Sequence, residues 1–225
     1  MLQLLIADDR VVICGSANLN DRSQLGDHDS EIAICVEERP DMDSYMNKQP
    51  WRVSKFAASL RSQLFRKHLG LLKPQDYESP DQNFEPIGVP NFYDWNSRED
   101  LAVADPLSDE FLDMWNTRAK INTDAFARVF HTVSHDGVRT WKEYDDYYER
   151  FFHEDTKKSE KLSLHKWGHV VAEDFPPGEQ GLRQVKDILS TIKGTLVEMP
   201  LLFLKDENIA KAGLSLNPFT EAVYT

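Results

Sequence analysis

The chain has 225 residues, and its 26 Lys and Arg against 38 Asp and Glu leave a formal charge of −12. That acidity argues against a nucleic-acid binder, because phosphate backbones are gripped mainly by Lys and Arg, and against recruitment to an anionic membrane by bulk charge. With 40% hydrophobic and 11% aromatic residues, the chain is a folded globular protein and not a disordered one.

Taken in chain order, Leu2 to Ala7 is nearly continuous apolar sequence and Val11 to Cys14 is a largely β-branched run, so a hairpin turning at Asp8-Asp9 is expected. Glu31 to Val36 reads as a third strand. Strands this uniformly apolar suit a sheet covered on both faces by helices. Cys14 and Cys35 lie in these runs and are expected to be buried thiols in a reducing compartment. After Pro50, Val53, Phe56, Leu60 and Leu64 recur at helical spacing, with Arg61, Arg66 and Lys67 on other faces and Gly70 placed to end the helix in a left-handed residue. Residues 76–113 then hold eleven acidic residues against Arg98 alone, with Pro80, Pro86, Pro90 and Gly88 among them. This predicts an irregular acidic excursion, either a solvated surface or a docking site for a basic partner.

Asp105 followed by Pro106 is expected to cap a helix whose apolar stripe is Leu107, Phe111, Met114 and Trp115, continuing or restarting through Phe126, Val129 and Phe130. Trp141, Tyr144, Tyr148 and Phe151 form an aromatic stripe that reads as a packed helix face more readily than as a cofactor box. Lys157 to Lys161 is a charged linker, and Leu196 to Leu204, interrupted by Pro200, an edge strand. His131 and His135, like His165 and His169, stand four apart as metal-binding pairs do, yet no third ligand stands near, and neither metal nor cofactor is expected. No stretch approaches the roughly 20 apolar residues of a spanning helix, and the first residues lack a signal peptide's basic region. The expected location is cytoplasmic or peripheral to a membrane.

Chemistry is concentrated between Asp8 and Glu31. Gly15-Ser16-Ala17-Asn18 leaves a strand where a small residue would let backbone approach a ligand, and Ser16 and Asn18 add a hydroxyl and an amide as neutral donors. Such donors suit the non-bridging oxygens of a phosphodiester. Taken alone, the same four residues are equally a strand-to-helix turn with Asn capping. The longer string decides between the two. Asp8, six intervening residues, Gly15-Ser16-Ala17-Asn18, then Asn20-Asp21-Arg22-Ser23, Leu25-Gly26 and Asp29-Ser30-Glu31 resemble in spacing the second catalytic motif of the eukaryotic phospholipase D family, H-x-K-x4-D-x6-G-S-x-N and its continuation. Phe65 to Gly70, Asp105 to Phe111, and Pro200 to Leu204 followed by a chain end at Thr225 also look like the carboxyl-terminal portion of those proteins.

The resemblance implies one lobe of a bilobal α/β fold, here a small mixed sheet with packed helices. It implies a motif-bearing core over residues 1–72, with an acidic excursion and carboxyl-terminal helices over 73–225 packing on the same lobe. It implies hydrolysis of phosphatidylcholine to phosphatidic acid and choline without a metal, through a phosphohistidine. Asp8, Ser16, Asn18 and Glu31 would be catalytic, Gly15, Ser16 and Asn18 would hold the substrate phosphate, and Glu31 would orient an imidazole. The partners implied are a phospholipid substrate and an amino-terminal catalytic half that this chain lacks, with no nucleic acid and no transmembrane segment. Counting back from Asp8, the motif histidine falls on Met1 and the lysine on Gln3. Residues two apart on a strand share a face, so both would point at the phosphate, where neither can serve as acid, nucleophile or cation. A start within a longer reading frame is the expected explanation, a pseudoenzyme that binds lipid phosphate or docks on a partner the alternative. A sheet made to meet a second lobe should also leave an apolar face uncovered and prone to self-association.

Overall fold

The computed structural model describes residues 3–27, 29–72, 93–130, 132, 134–152, 175–176 and 178–207. They fall into two compact units, one within Met1–Trp115 and one within Asn116–Asn217. Lys157 to Lys161, His131, His165, His169 and residues 76–92 of the acidic stretch lie outside the described residues.

In the first unit, β1 (Gln3–Ala7), β2 (Val11–Gly15) and β3 (Ala33–Glu37) form an antiparallel sheet in that order, with the short helix α1 (Asp21–Gln24) between β2 and β3. The expected hairpin is present. Asp8 and Asp9 both take left-handed conformations, φ 53° and 54°, and Arg10 N donates to Ala7 O at 2.9 Å. This is the two-residue turn whose twist matches that of the strands, and Asp tolerates it better than most residues. The sheet is not covered on both faces as expected. Leu5 and Ile13 on one face are 54% and 39% exposed, Leu4 and Ile34 on the other 40% and 65%. The thiols correspondingly depart from expectation, with Cys14 half-buried and Cys35 exposed. Cys14 pairs with Ile34 and Cys35 with Ile13, so the two sulfurs point to opposite faces; on the Cys14 face cover reaches Val12, near the turn, and leaves Leu4 and Ile34 exposed.

A second hairpin, β4 (Met42–Met46) and β5 (Gln49–Val53), lies where no strand was expected. Its turn residues Asn47 and Lys48 again have positive φ, 51° and 62°, and both backbone N–H groups donate to the Asp105 carboxylate, at 2.9 and 2.6 Å. Asp105 Oδ1 also accepts from Leu107 N at 3.1 Å, so Asp105 caps the turn after Pro106 and not a helix. The next long helix, α4 (Asp109–Val129), starts three residues later than expected, where Ser108 Oγ accepts from Phe111 N. Before it come α2 (Lys55–Leu69), closed by Gly70 at φ 72° as expected, and the single turn α3 (Arg98–Leu101).

The stripe assigned to α2 is corrected by burial. Phe56 is 42% exposed, whereas Ala57, Ala58, Ser62 and Leu69 are buried together with Arg61 and Arg66. The arginines face inward because carboxylates wait for them. Arg61 Nη2 lies 2.7 Å from Asp9 Oδ2 and Nε lies 3.1 Å from Oδ1, and the guanidinium also donates to the Val103 and Ala104 carbonyls. Arg66 grips Asp94 at 2.6 and 3.1 Å. Asp94 of the acidic stretch is thus the counter-charge of a buried arginine, although its own side chain is exposed. Phe65 stacks on Phe111 at a centroid distance of 5.2 Å and meets Trp115 tilted at 5.0 Å, so Phe111 and Trp115 of the expected stripe build core, whereas Leu107 precedes α4 and is exposed.

The second unit holds α5 (Trp141–Phe152), where the aromatic stripe was expected, and α6 (Glu179–Leu189). Its tie is fully buried Asn122, which donates to the carbonyls of Lys193 and Leu196 at 2.9 and 2.8 Å and accepts from Lys193 N at 3.1 Å. Leu196 to Leu204 is not an edge strand. It leads into a run of turns in which Leu204 has φ 54°, while the N–H groups of Leu204 and Asp206 donate to Val138 O and Arg139 O. His135 Nδ1 accepts from Gly137 N at 3.0 Å, a local loop contact. Among the described residues no helix is long and apolar enough to cross a membrane.

Candidate active site

The hairpin register sets Gln3 opposite Gly15. The chain that leaves β2 at Gly15 and the chain that enters β3 at Ala33 consequently start from the same end of the sheet as Gln3. Ser16 N donates to Ile32 O at 3.0 Å and Ile32 N donates to Ser16 Oγ at 3.2 Å, which joins the two departures. Ser16 Oγ donates its own proton to the Glu31 carboxylate in a short bond. Beside it, Gln3 Nε2 donates to Asn18 Oδ1 at 2.7 Å. Asn18 is held from behind by Gln24 Nε2, which donates to its carbonyl at 3.0 Å, and Asn20 caps α1 by accepting from Ser23 N at 3.0 Å.

Gly15, Ser16, Asn18 and Glu31 are therefore brought together, Gly15 buried and the other three half-buried. Gly15 serves a different contact from the one expected. A Cβ there would stand 2.7 Å from Ala33 Cβ and 2.8 Å from Ile32 O, so the missing side chain admits β3. Asp8 is not brought to the cluster. It is exposed at the opposite end of the hairpin, the length of a five-residue strand away, roughly 16 Å at 3.3 Å per residue, and its carbonyl accepts from Trp51 Nε1 at 3.0 Å. Met1 lies outside the described residues.

The electrostatics follow from these contacts. The Ser16 hydroxyl first, and the Ser23 hydroxyl second, hold the Glu31 carboxyl below the ordinary carboxylate range. It is an anion at neutral pH, suited to accept from an imidazole N–H. Ser23 was not singled out in the sequence, and neither was Gln3 as a partner of Asn18. The signal for both was a side chain placed by the strand and by the Asn20 cap. The remaining functional groups are neutral donors, and among the described residues the cluster contains no cation. Among the described residues no three His, Cys, Asp or Glu side chains gather as a metal ion would need. A cavity of about 570 Å³ lined by Arg128, Phe175, Gln184, Asp187 and Ile188 belongs to the second unit and holds none of these residues.

A family model described as phospholipase D matches residues 2–84, the stretch that carries the cluster. Phospholipase D zeta 2 of Arabidopsis thaliana is 29% identical over 225 residues, 98% of this chain and 18% of that protein. Phospholipase D zeta 1 of the same plant is 31% identical over 217 residues, 92% of this chain and 16% of that protein, and phospholipase D1 of Mus musculus is 31% identical over 208 residues, 92% and 15%. The chain belongs to the phospholipase D family. It spans less than a fifth of the length of these relatives, which it matches over most of its own.

Proposed function

We propose that this chain is the carboxyl-terminal catalytic lobe of a phospholipase D that hydrolyses phosphatidylcholine to phosphatidic acid and choline, as a cytoplasmic protein peripheral to the membrane. One observation supports this most. Gln3, at the motif's lysine position, meets Asn18 while Ser16 meets Glu31, so separate parts of the sequence pattern converge on one half-exposed patch.

In this reading Ser16 Oγ and Asn18 Nδ2 donate to the non-bridging oxygens of the diester, where charge grows in the transition state. Phosphate binding would turn the Ser16 proton away from Glu31, freeing that carboxylate to accept from an imidazole N–H and fix its tautomer. One histidine nitrogen attacks phosphorus and the P–O bond to choline breaks, with a second histidine protonating the departing alkoxide. The same second histidine then takes a proton from water, whose oxygen displaces the imidazole and releases phosphatidic acid. Both histidines and a lysine must come from outside the residues of this cluster, the amino-terminal half being the expected source of one motif. Position 3 here is an uncharged amide, so the chain by itself does not turn over lipid. That same amide favours a second reading, a non-catalytic lobe that binds lipid phosphate or docks on a partner.

The test is choline release from phosphatidylcholine vesicles by the purified 225-residue chain, alone and mixed with the amino-terminal half of a relative. No release is expected alone, and release from the mixture is expected only once His and Lys replace Met1 and Gln3 behind an added initiator; that release would be cut by Ser16→Ala or Asn18→Ala on the order of 10²-fold or more. Sustained turnover by the chain alone, lost in Ser16→Ala, would refute the inactivity. Phosphate-dependent binding to the vesicles with no turnover in any mixture would leave the non-catalytic reading.

A further inference from the structure

The stretch from Ser16 to Ile32 has to return Glu31 to Ser16, and apolar packing does little to hold it there. Helix α1 has no buried residue, and Leu19 and Leu25 are 101% and 67% exposed. What closes the stretch is polar. Arg22 Nε donates to Asp29 Oδ2 at 3.0 Å and Arg22 Nη2 to Asp29 Oδ1 at 2.9 Å, a fork-to-fork pair. Gly26, at φ 78°, supplies the reversal between them. Asp29 stands two residues before Glu31, and Arg22 stands in α1 one residue before Ser23, whose hydroxyl helps hold the Glu31 carboxyl low. The pair thus ties α1 to the segment that carries the carboxylate.

We propose that the Arg22–Asp29 ion pair is a clasp that positions Glu31 against Ser16, which makes Arg22 and Asp29 positioning residues of the site. The role of the clasp in a reaction rests on the phospholipase reading; its geometry does not. Both side chains are partly exposed, 54% and 38%, so the pair adds little to overall stability. Its value is orientation, because two parallel N–H···O bonds fix the plane of the carboxylate as well as its distance. Lysine, a point charge on a flexible stem, supplies the distance without the plane.

The clasp is tested on the full chain by NMR, following the titration of the Glu31 carboxyl carbon and the hydrogen exchange of the Ile32 amide, which is bonded to Ser16 Oγ. Arg22→Ala should move the Glu31 titration up toward the ordinary carboxylate range; Asp29→Asn also removes an anion whose repulsion raises Glu31, so that variant is read by exchange alone, and both should speed Ile32 exchange about two- to fivefold, the range an exposed pair contributes. The swapped double variant Arg22→Asp with Asp29→Arg should restore both, and Arg22→Lys only part. A pair that merely tied the surface together would leave the Glu31 titration where it is. An unmoved titration in Arg22→Ala overturns the proposal, and so does a swap that fails to rescue while its urea midpoint stays at the wild-type value. No substrate enters these measurements, so absence of lipid turnover would count against the phospholipase reading and not against the clasp.

Discussion

The two ends of the β1–β2 hairpin hold their carboxylates in opposite ways. At the turn, Asp9 is 3% exposed and Arg61 6%, and the guanidinium is satisfied by the carboxylate and by two backbone carbonyls. At the open end, Glu31 is half-buried and accepts from the Ser16 hydroxyl, and the Arg22–Asp29 ion pair is partly exposed. One end exchanges charge for rigidity in a dry site, where removing a partner strands the other. The other keeps an anion wet and weakly held, and so available to something that binds. The same strands carry a structural charge and a chemical one about five residues apart, and burial distinguishes them.

The largest effect is expected from breaking the dry end. Arg61→Ala leaves Asp9 buried without its cation and two carbonyls without donors, and should cost about 3–5 kcal/mol in urea unfolding. Asp9→Asn should fall in the same range. A loss below about 1 kcal/mol, the value for a surface pair, would place Asp9 and Arg61 in water and erase the contrast between the two ends.

A middle-sized effect is expected at Gly15, where the two ends communicate through strand spacing. Gly15→Ala puts a methyl 2.7 Å from Ala33 Cβ and 2.8 Å from Ile32 O, so β3 must move away from β2. Overpacking of this kind costs about 1–3 kcal/mol. It should also weaken the bond from Ser16 N to Ile32 O, read as faster exchange of the Ser16 amide, while amides near the Asp9 turn keep their protection. Uniform loss of protection along the hairpin would show that the two ends are not separable.

The sequence made the open end easier to read than the dry end. Strand periodicity, the Asp-Asp turn and the spacing from Asp8 to Glu31 led to the hairpin and to the convergence of Ser16, Asn18 and Glu31, because all of these are local in the chain. The burial of Arg61 was not legible. Its partner lies 52 positions away, and an arginine among apolar residues reads as the outer face of a helix until the carboxylate inside is known. Asp105 misled in the same manner, since Asp before Pro is a helix-capping signal, yet its carboxylate accepts from the Asn47 and Lys48 amides across 58 and 57 positions. Asp8 carries a motif letter but sits at the turn, so a spacing pattern alone does not say which of its members meet in space. The β4–β5 hairpin was legible in principle, with Asn-Lys between two runs, but Pro50 at the start of β5 read as the end of one element and not as an edge-strand residue.

The smallest effect is the one that most directly reports how the open end holds its charge. Glu31 is depressed below the ordinary carboxylate range by the Ser16 and Ser23 hydroxyls. A depressed carboxyl binds its proton more weakly folded than unfolded, so its contribution is fully present above the unfolded Glu value near 4.3 and disappears as pH falls through the folded value. The stability difference between wild type and Glu31→Gln should accordingly be largest near neutrality and close on acidification, because the glutamine has nothing to protonate. Urea midpoints of the two proteins between about pH 7 and pH 3 check this. In Ser16→Ala the pH-dependent part of that difference should shrink, since the hydroxyl that lowers the carboxyl is gone, leaving Ser23 as the remaining side-chain donor. A wild-type-to-Gln difference that is flat across the range would mean that Glu31 titrates alike in both states, and that the open end holds its anion by shape and not by hydrogen bonding.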